Sequence, residues 1–299
     1  MMRALVVGRR RRGRKIGTAI QKTRRRLEAA GWTVETAFVD RKKELRQVAR
    51  RAVVDQLDLV VAVGGDGAVL QVVQVLAETD VALGIVPMGT GNLLAGNLGI
   101  AHQTEQAAET LLNGTRRRID LGRLTIAGKR RYFAVACGVG FDAEVMKATA
   151  KVHKLRWGKL AYVASAIRRS RAMRNATHEI TLDGKPNTME AAQVFIANFG
   201  RMGAALEPRL QVEADDGVLD VIAFRADGPI PGLLAGWEAL RQNEVGESSA
   251  GHAFRARARK VKLSSEPQRL VETDGSVVGT TPITITVRPA ALTVIVPAS

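Results

Sequence analysis

A Gly-Gly-Asp-Gly loop at residues 64–67 lies between two apolar segments. The run from Leu59 to Val63 before it is typical of a buried strand, and Ala68 to Val73 after it indicates a helix. Glycine lets a backbone approach an anion closely, and the N-terminus of a helix attracts negative charge. The loop therefore predicts a binding site for the phosphates of a nucleotide.

A second loop of the same character follows further along the chain. Residues 87–92 read Pro-Met-Gly-Thr-Gly-Asn and come directly after the apolar run from Val81 to Val86. The loops lack the lysine of a P-loop and the spacing of the dinucleotide fingerprint, so they predict neither an ordinary NTPase nor a dehydrogenase. Because open α/β sheets bind ligands at the carboxyl ends of their strands, we expect both loops at that edge of one sheet.

Strand-like and helix-like segments alternate as far as Leu121, which predicts a parallel sheet covered by helices. The predicted strands are Ala4–Val7, Thr33–Val39, Leu57–Val63 and Val81–Val86, and the predicted helices are Ile16–Ala30, Glu44–Asp55, Ala68–Ala77 and Thr104–Leu112. Short alternating strands follow, which predicts a β-sandwich interrupted by helices near residues 159–174 and 231–242. We expect an α/β domain at residues 1–121 and a β-sandwich domain at residues 122–299.

Composition limits the function further. The chain has 299 residues, a formal net charge of +16 and one cysteine, Cys137, which we expect in the core. One cysteine excludes an internal disulfide framework, and no segment reaches the roughly 20 apolar residues of a membrane span. A strongly positive charge attracts nucleotides, nucleic acids and anionic lipids. We expect a cytoplasmic protein that works near an anionic surface.

The segment Lys151–Arg174 is basic and carries apolar residues at helical spacing. Such a helix can lie on a membrane surface, although the same apolar stripe is typical of a helix packed in a core. Aromatic residues are scarce and are not interleaved with the basic clusters, so we expect no nucleic-acid partner.

Five ordered motifs resemble the catalytic domain of the diacylglycerol kinase and sphingosine kinase family, which is related to the NAD kinases. They are the two glycine loops, Gly-Val-Gly-Phe-Asp-Ala at 138–143, Val-Phe-Ile-Ala-Asn at 194–198, and Pro208 followed by Asp215–Asp220. The resemblance covers nearly the whole chain. It implies the family's two-domain plan, with ATP in the cleft between the domains.

The resemblance implies a kinase that uses ATP and Mg²⁺ to phosphorylate a lipid hydroxyl, with diacylglycerol foremost, at the inner face of the membrane. The nucleotide-binding residues that it implies are Gly64, Gly65, Asp66, Gly67, Ala68, Gly89, Thr90, Gly91 and Asn92. Asp66 is the first candidate for a catalytic residue, through Mg²⁺ or a hydrogen bond to the nucleotide. An aspartate that merely caps the following helix is the alternative, and Thr90 and Asn92 also suit turn and cap positions.

A structural magnesium ion is also implied by the resemblance. Asp216 would bind it together with the backbone carbonyl groups of Glu213 and Val218. An all-oxygen set of this kind suits Mg²⁺. An ordinary Asp-Gly turn before the next strand remains the alternative.

The chain departs from the family at positions that bear on activity. The family threonine after the first loop is Ala68, and the usual Asn-Glu pair is Leu-Gln at 70–71. The acid that ends the family's Asp-Gly-Glu or Asp-Gly-Asp motif is Ser276, and serine cannot act as a general base at neutral pH. Asp274 is the nearest catalytic candidate, helped by Glu272, although an Asp-Gly pair also suits a hairpin turn.

The sequence leaves two hypotheses open. The first is an ATP-dependent lipid kinase that docks peripherally on an anionic membrane. The second is a catalytically silent relative that binds a nucleotide or a lipid, which the residues Ala68, Gln71 and Ser276 favour. A kinase for a sphingoid base or NAD is a further option, and assembly as a homodimer is left open.

Overall fold

The computed structural model describes residues 1–10, 14–140, 175–200, 212–225, 246–247 and 253–298. Several sequence predictions lie outside the described residues: the basic segment Lys151–Arg174, the helices near 159–174 and 231–242, Phe-Asp-Ala at 141–143, and Pro208.

The chain divides into two compact units. Unit 1 comprises Met1–Leu121, Ala214–Asp216 and Arg288–Ser299, and unit 2 comprises Gly122–Glu213 and Gly217–Val287. The sequence prediction placed one boundary after residue 121, whereas the observed division returns to unit 1 at Ala214 and again at Arg288.

Unit 1 alternates strands with helices. Their bounds are β1 Arg3–Arg9, α1 Arg14–Ala29, β2 Thr33–Val39, α2 Lys42–Val54, β3 Leu59–Gly64, α3 Asp66–Leu76, β4 Ala82–Pro87, α4 Leu93–Asn97 and α5 Thr104–Asn113. The strands are parallel in the order β2-β1-β3-β4. Strands β3 and β4 are buried along their whole length, as expected for apolar strands inside a parallel sheet. The predicted α/β fold is confirmed.

Unit 2 is made of antiparallel strands. Their bounds are β6 Lys129–Phe133, β7 Ala136–Val139, β8 Ala176–Leu182, β9 Lys185–Ala191, β10 Gln193–Ala197, β11 Leu219–Phe224, β12 Gly246–Glu247, β13 Ala253–Ala258, β14 Lys260–Glu266, β15 Leu270–Thr273 and β16 Ser276–Thr280. Two longer strands, β5 at Thr115–Ile126 and β17 at Ile283–Val296, each contribute residues to both units.

Two layers of strands form the core of unit 2. The first layer, which we call the β7 sheet, has the order β12-β13-β11-β10-β7-β15-β16, and the second contains β9-β8-β14-β17. The β7 sheet contributes Cys137, Val139 and Val194 to the core, and the second layer contributes Ile180 and Leu263. This arrangement confirms the predicted β-sandwich and the core position of Cys137, whose thiol pKa is raised by burial.

Candidate functional site

The first glycine loop joins a buried strand to the start of a helix. Gly65 precedes helix α3 with extended backbone angles, φ −93° and ψ 179°. Its carbonyl group accepts hydrogen bonds from the N–H groups of Ala68 and Val69 at 2.8 and 3.2 Å. The N–H groups of Asp66 and Gly67 open the helix and have no acceptor within it. Donors of this kind suit a phosphate group.

The two glycine loops touch through their backbones. A Cβ atom at Gly65 would lie 2.8 Å from the Cα atom of Gly89, and a Cβ atom at Gly89 would lie 2.6 Å from the Cα atom of Gly65. Neither distance leaves room for a side chain, so glycine is required at both positions. The two loops therefore lie together at the carboxyl ends of β3 and β4, within unit 1.

Asp66 links the two loops by a hydrogen bond. Its Oδ1 atom accepts the N–H group of Leu93, the first residue of α4, at 2.5 Å. Its Oδ2 atom would lie 2.8 Å from a Cβ atom placed on Gly91. The carboxylate thus caps α4 rather than the helix that follows it in sequence. A catalytic role for Asp66 stays a prediction.

Asn92 shapes the second loop from inside. Its backbone adopts the left-handed conformation, with φ and ψ both 46°, which asparagine tolerates better than most residues. Its Oδ1 atom accepts the N–H group of Gly89 at 2.8 Å, and its Nδ2 atom donates to the carbonyl oxygen of Gly89 at 3.0 Å. Its side chain is 5% exposed, whereas Thr90 is exposed at the tip of the loop. Of these two, Thr90 is the side chain that a ligand can reach.

Lys42 lies beside the first loop, and the sequence reasoning missed it. Its Nζ atom lies 2.9 Å from the position that a Cβ atom on Gly67 would occupy. Lys42 is the exposed first residue of α2, so an ammonium group stands next to the open N–H groups of α3. The detectable signal was a lysine that follows a strand of the same parallel sheet. On the other side of the loop, Ala68 packs closely against Gly64.

Asp274 lies at the turn between β15 and β16, where Asp274 and Gly275 have φ angles of +45° and +76°. These angles are typical of a two-residue hairpin turn. Its carboxylate accepts three backbone hydrogen bonds, from Ala134 at 2.8 Å, Val135 at 2.9 Å and Ala136 at 3.1 Å. These donors stabilise the charged carboxylate and fasten the hairpin to the start of β7. Its role as a catalytic base stays a prediction.

Glu272 lies two residues before that turn and faces a glycine. It pairs with Gly138 of β7, and its Oε1 atom lies 3.1 Å from the position of a Cβ atom on Gly138. Burial raises the pKa of Glu272 above 4.5, and the negative charge of Asp274 raises it further. Ser276 lies on the other side of the turn, paired with Thr273.

The predicted magnesium residues lie in the loop before β11. Asp216 belongs to unit 1, whereas Glu213 and Val218 belong to unit 2. The neighbouring Asp215 forms an ion pair with Arg117 at 2.9 Å. No cluster of three His, Cys, Asp or Glu side chains suits a metal in the described ranges, but the predicted set needs only one carboxylate. One carboxylate and two carbonyl oxygens fit the chemistry of Mg²⁺, so this site stays a prediction.

The described residues include no helix that is both long enough and apolar enough to cross a membrane.

Comparison with families of known proteins gives two matches along the chain. The diacylglycerol kinase catalytic domain matches residues 3–124. The YegS C-terminal NAD kinase beta sandwich-like domain matches residues 135–296. The first match contains both glycine loops, and the second contains Glu272 and Asp274.

Individual relatives agree with these matches. A diacylglycerol kinase of Mycobacterium tuberculosis (strain ATCC 25618 / H37Rv) is 30% identical over 261 residues, which cover 85% of this chain and 82% of the relative. A diacylglycerol kinase of Bacillus subtilis (strain 168) is 26% identical over 86% of this chain and 84% of its own. An uncharacterised protein of Synechocystis sp. is 27% identical over 85% of this chain, and the match spans 58% of that protein.

The fold has relatives among solved structures. A provisionally assigned diacylglycerol kinase from Bacillus anthracis str. Sterne aligns with a TM-score of 0.81. The alignment covers 98% of this chain and 96% of the other, at 24% sequence identity. At that identity the likeness confirms the fold alone.

Proposed function

We propose that this chain, which belongs to the diacylglycerol kinase catalytic-domain family, is an ATP-dependent lipid kinase. The proposed reaction transfers the γ-phosphate of ATP to a lipid hydroxyl, with diacylglycerol as the acceptor and phosphatidic acid as the product. The observation that carries the proposal is the pair of glycine loops in unit 1, which Asp66 holds together through its hydrogen bond to Leu93.

The phosphates of the nucleotide are assigned to the first loop. The N–H groups of Asp66 and Gly67 supply donors at the positive end of α3, and Lys42 adds a full positive charge beside Gly67. Ala68, which stands in place of the family threonine, offers no polar group to the phosphates, whereas Lys42 offers a positive charge. The exposed hydroxyl of Thr90 is the reachable polar group of the second loop.

Magnesium is assigned to two places in this proposal. When bound with the nucleotide, Mg²⁺ would neutralise charge on the phosphates during transfer. Asp66 is the carboxylate of the loop that would hold it, through Oδ2 or an intervening water, because Oδ1 already accepts the N–H group of Leu93. Asp216, with the carbonyl groups of Glu213 and Val218, would hold a structural ion.

The acceptor lipid reaches the protein from a membrane surface in this proposal. A formal net charge of +16 favours peripheral docking on anionic lipids on the cytoplasmic side. Binding to vesicles that contain phosphatidylglycerol should therefore weaken as salt is added, because screening shortens the reach of exposed charges.

One assay tests the reaction and the loop together. The protein is incubated with Mg²⁺, γ-labelled ATP and a lipid extract, in parallel with Lys42→Ala and with Lys43→Ala as the matched control. We expect label in phosphatidic acid. The ATP affinity, measured by calorimetry, should be at least about tenfold weaker in Lys42→Ala, because a charge-assisted phosphate contact is lost, and it should be unchanged in Lys43→Ala. Equal affinities in the two variants would remove Lys42 from the site.

A catalytically silent relative is the second candidate function. Two observations favour it: Ser276 stands at the position of the family acid, and Asp274 uses both carboxylate oxygens on backbone donors. If no lipid becomes labelled in the same assay while calorimetry shows that the protein binds ATP, this candidate is favoured over the kinase.

A further inference from the structure

The β7 sheet has a second face, which looks away from the core of unit 2. Val139, Val194 and Val271 point into the core, and side chains alternate along a strand. Their neighbours Gly138 and Glu272 therefore share the opposite face. Gln193, Phe195 and Phe224 lie on that face as well, because Phe195 pairs with Gly138 and Gln193 pairs with Phe224.

Two polar side chains converge over Gly138 on this face. A Cβ atom on Gly138 would lie 3.1 Å from Oε1 of Glu272 and 3.3 Å from Nε2 of Gln193. Gln193 is fully buried, and its Oε1 atom has no hydrogen-bond partner in the part of the chain that the structure describes. This oxygen lies 3.0 Å from the position that a Cβ atom on Gly140 would occupy. A buried amide oxygen without a donor is costly, so we expect beside it a donor that the described residues do not supply.

Apolar rings lie beside this polar pair. Phe195 and Phe224 are both half-buried, and their ring centroids are 6.1 Å apart at an interplanar angle of 35°. The face thus offers one carboxylate, one amide and two aromatic rings within a few neighbouring strands. A molecule with a hydroxyl group attached to hydrocarbon matches that combination.

We propose that Glu272 and Gln193 bind the hydroxyl end of the acceptor lipid, with Phe195 and Phe224 against its apolar part. The hydroxyl donates a hydrogen bond to the carboxylate of Glu272, and the amide of Gln193 is the second polar contact. This inference rests on the proposed kinase function and names the acceptor subsite.

Glu272 and Ser276 lie on either side of the Asp274-Gly275 turn, but they point to opposite faces of the sheet. Ser276 pairs with Thr273, which is buried and pairs with Cys137, whereas Glu272 shares the outer face with Gly138. Asp274 is less suited to bind the hydroxyl because three backbone N–H groups already occupy its oxygens.

The subsite is expected to depend on pH. The ionised carboxylate of Glu272 accepts a stronger hydrogen bond from a hydroxyl group than the protonated form does, and burial together with Asp274 raises its pKa. Among the described residues, the titratable group that acts on it is Asp274 on the turn. The neighbouring strands present uncharged residues on its face: Gly138 on β7, Gln193 and Phe195 on β10, and Val277 on β16. Binding of the acceptor should therefore weaken as the pH falls through the raised pKa of Glu272.

The test compares Glu272→Gln with Ser276→Ala, using dioctanoylglycerol as the acceptor. We expect Glu272→Gln to raise the KM for dioctanoylglycerol by at least about tenfold, because the hydroxyl loses its charged acceptor, and Ser276→Ala to leave it within about twofold. The KM for ATP should not change in either variant. Loss of activity in Ser276→Ala but not in Glu272→Gln would overturn the inference, as would a changed KM for ATP in Glu272→Gln.

A binding measurement separates this inference from the proposed function. If the wild-type protein phosphorylates no lipid, the kinase proposal fails, and calorimetric titration with dioctanoylglycerol still tests the subsite. Binding that Glu272→Gln and Gln193→Leu both weaken at least about tenfold, in variants that unfold cooperatively, supports it. Equal affinities in the wild type and both variants, or no binding to the wild type, overturn it.

Discussion

Asp274 fastens the β15–β16 hairpin to the start of β7, and this can be tested by substitution. Its Oδ1 atom accepts the N–H groups of Val135 and Ala136, and its Oδ2 atom accepts that of Ala134. An asparagine has one oxygen and one NH₂ group. Its best placement keeps the two hydrogen bonds of Oδ1, loses the third, and removes the charge from all of them.

The size of the effect follows from these contacts. A hydrogen bond to a charged group contributes about 1.5–3 kcal/mol to stability. We expect Asp274→Asn to lower the free energy of unfolding by about 2–3 kcal/mol, and Asp274→Ala by about 4.5–9 kcal/mol because all three bonds are lost. The alanine effect is a large share of the 5–15 kcal/mol that is typical of a whole protein.

A matched control is present in the same unit. Asp183 and Gly184 form the turn between β8 and β9 with φ angles of +48° and +91°, and Asp183 accepts the N–H groups of Arg259 and Lys260. These bonds are exposed, so water can replace them and Asp183→Asn should cost less than about 1 kcal/mol.

Urea unfolding followed by circular dichroism gives both free energies. Equal losses for Asp274→Asn and Asp183→Asn would refute the anchoring role. Unchanged stability of Asp274→Asn with loss of kinase activity would instead restore Asp274 as the catalytic base.

Three further predictions concern other parts of the molecule. Gly89→Ala should weaken ATP binding in calorimetry by at least about tenfold, because the new Cβ atom would meet the backbone of Gly65. As a control, Gly17→Ala should leave the ATP affinity unchanged and add about 0.5–1 kcal/mol to the free energy of unfolding, because the nearest atom to its Cβ position is 3.9 Å away. Glu272→Gln should raise the thermal unfolding temperature above neutral pH but not below pH 4.5, because a carboxyl group with a raised pKa stabilises the folded state only while it is protonated. Equal shifts of the unfolding temperature at both pH values would contradict this. His178 is buried and its pKa is lowered from 6.5, so the free energy of unfolding should decrease as the pH falls below 6.5, and this decrease should be smaller in His178→Gln. The same pH dependence of the unfolding free energy in both proteins would show that other groups cause it.

The elements of the fold were predictable because their signals are local. The apolar run from Leu59 to Val63 became β3 at Leu59–Gly64, and the glycines that follow form the expected loop. A continuous apolar run bounded by glycine needs no knowledge of the rest of the chain to be recognised.

The partners of the site residues were not predictable in the same way. Asp66 contacts Leu93, and Asp274 contacts Ala134, which lies far away in sequence. The pairing of a carboxylate with a backbone N–H group depends on how strands are brought together, and sequence spacing carries no record of it. Lys42 was missed for this reason, because its place beside Gly67 follows only from the order of the strands.

Strand β17 has a consequence for the order in which the protein is made. Its later residues complete unit 1, where Val294 pairs with Leu83 of β4, and Ala291 accepts the N–H group of Glu78. Synthesis proceeds from the N-terminus and domains generally fold as units. Most of unit 1 is therefore synthesised first, but the unit is complete only after the residues that follow Arg288 have been made. The unit proposed to bind the nucleotide is begun first and completed last.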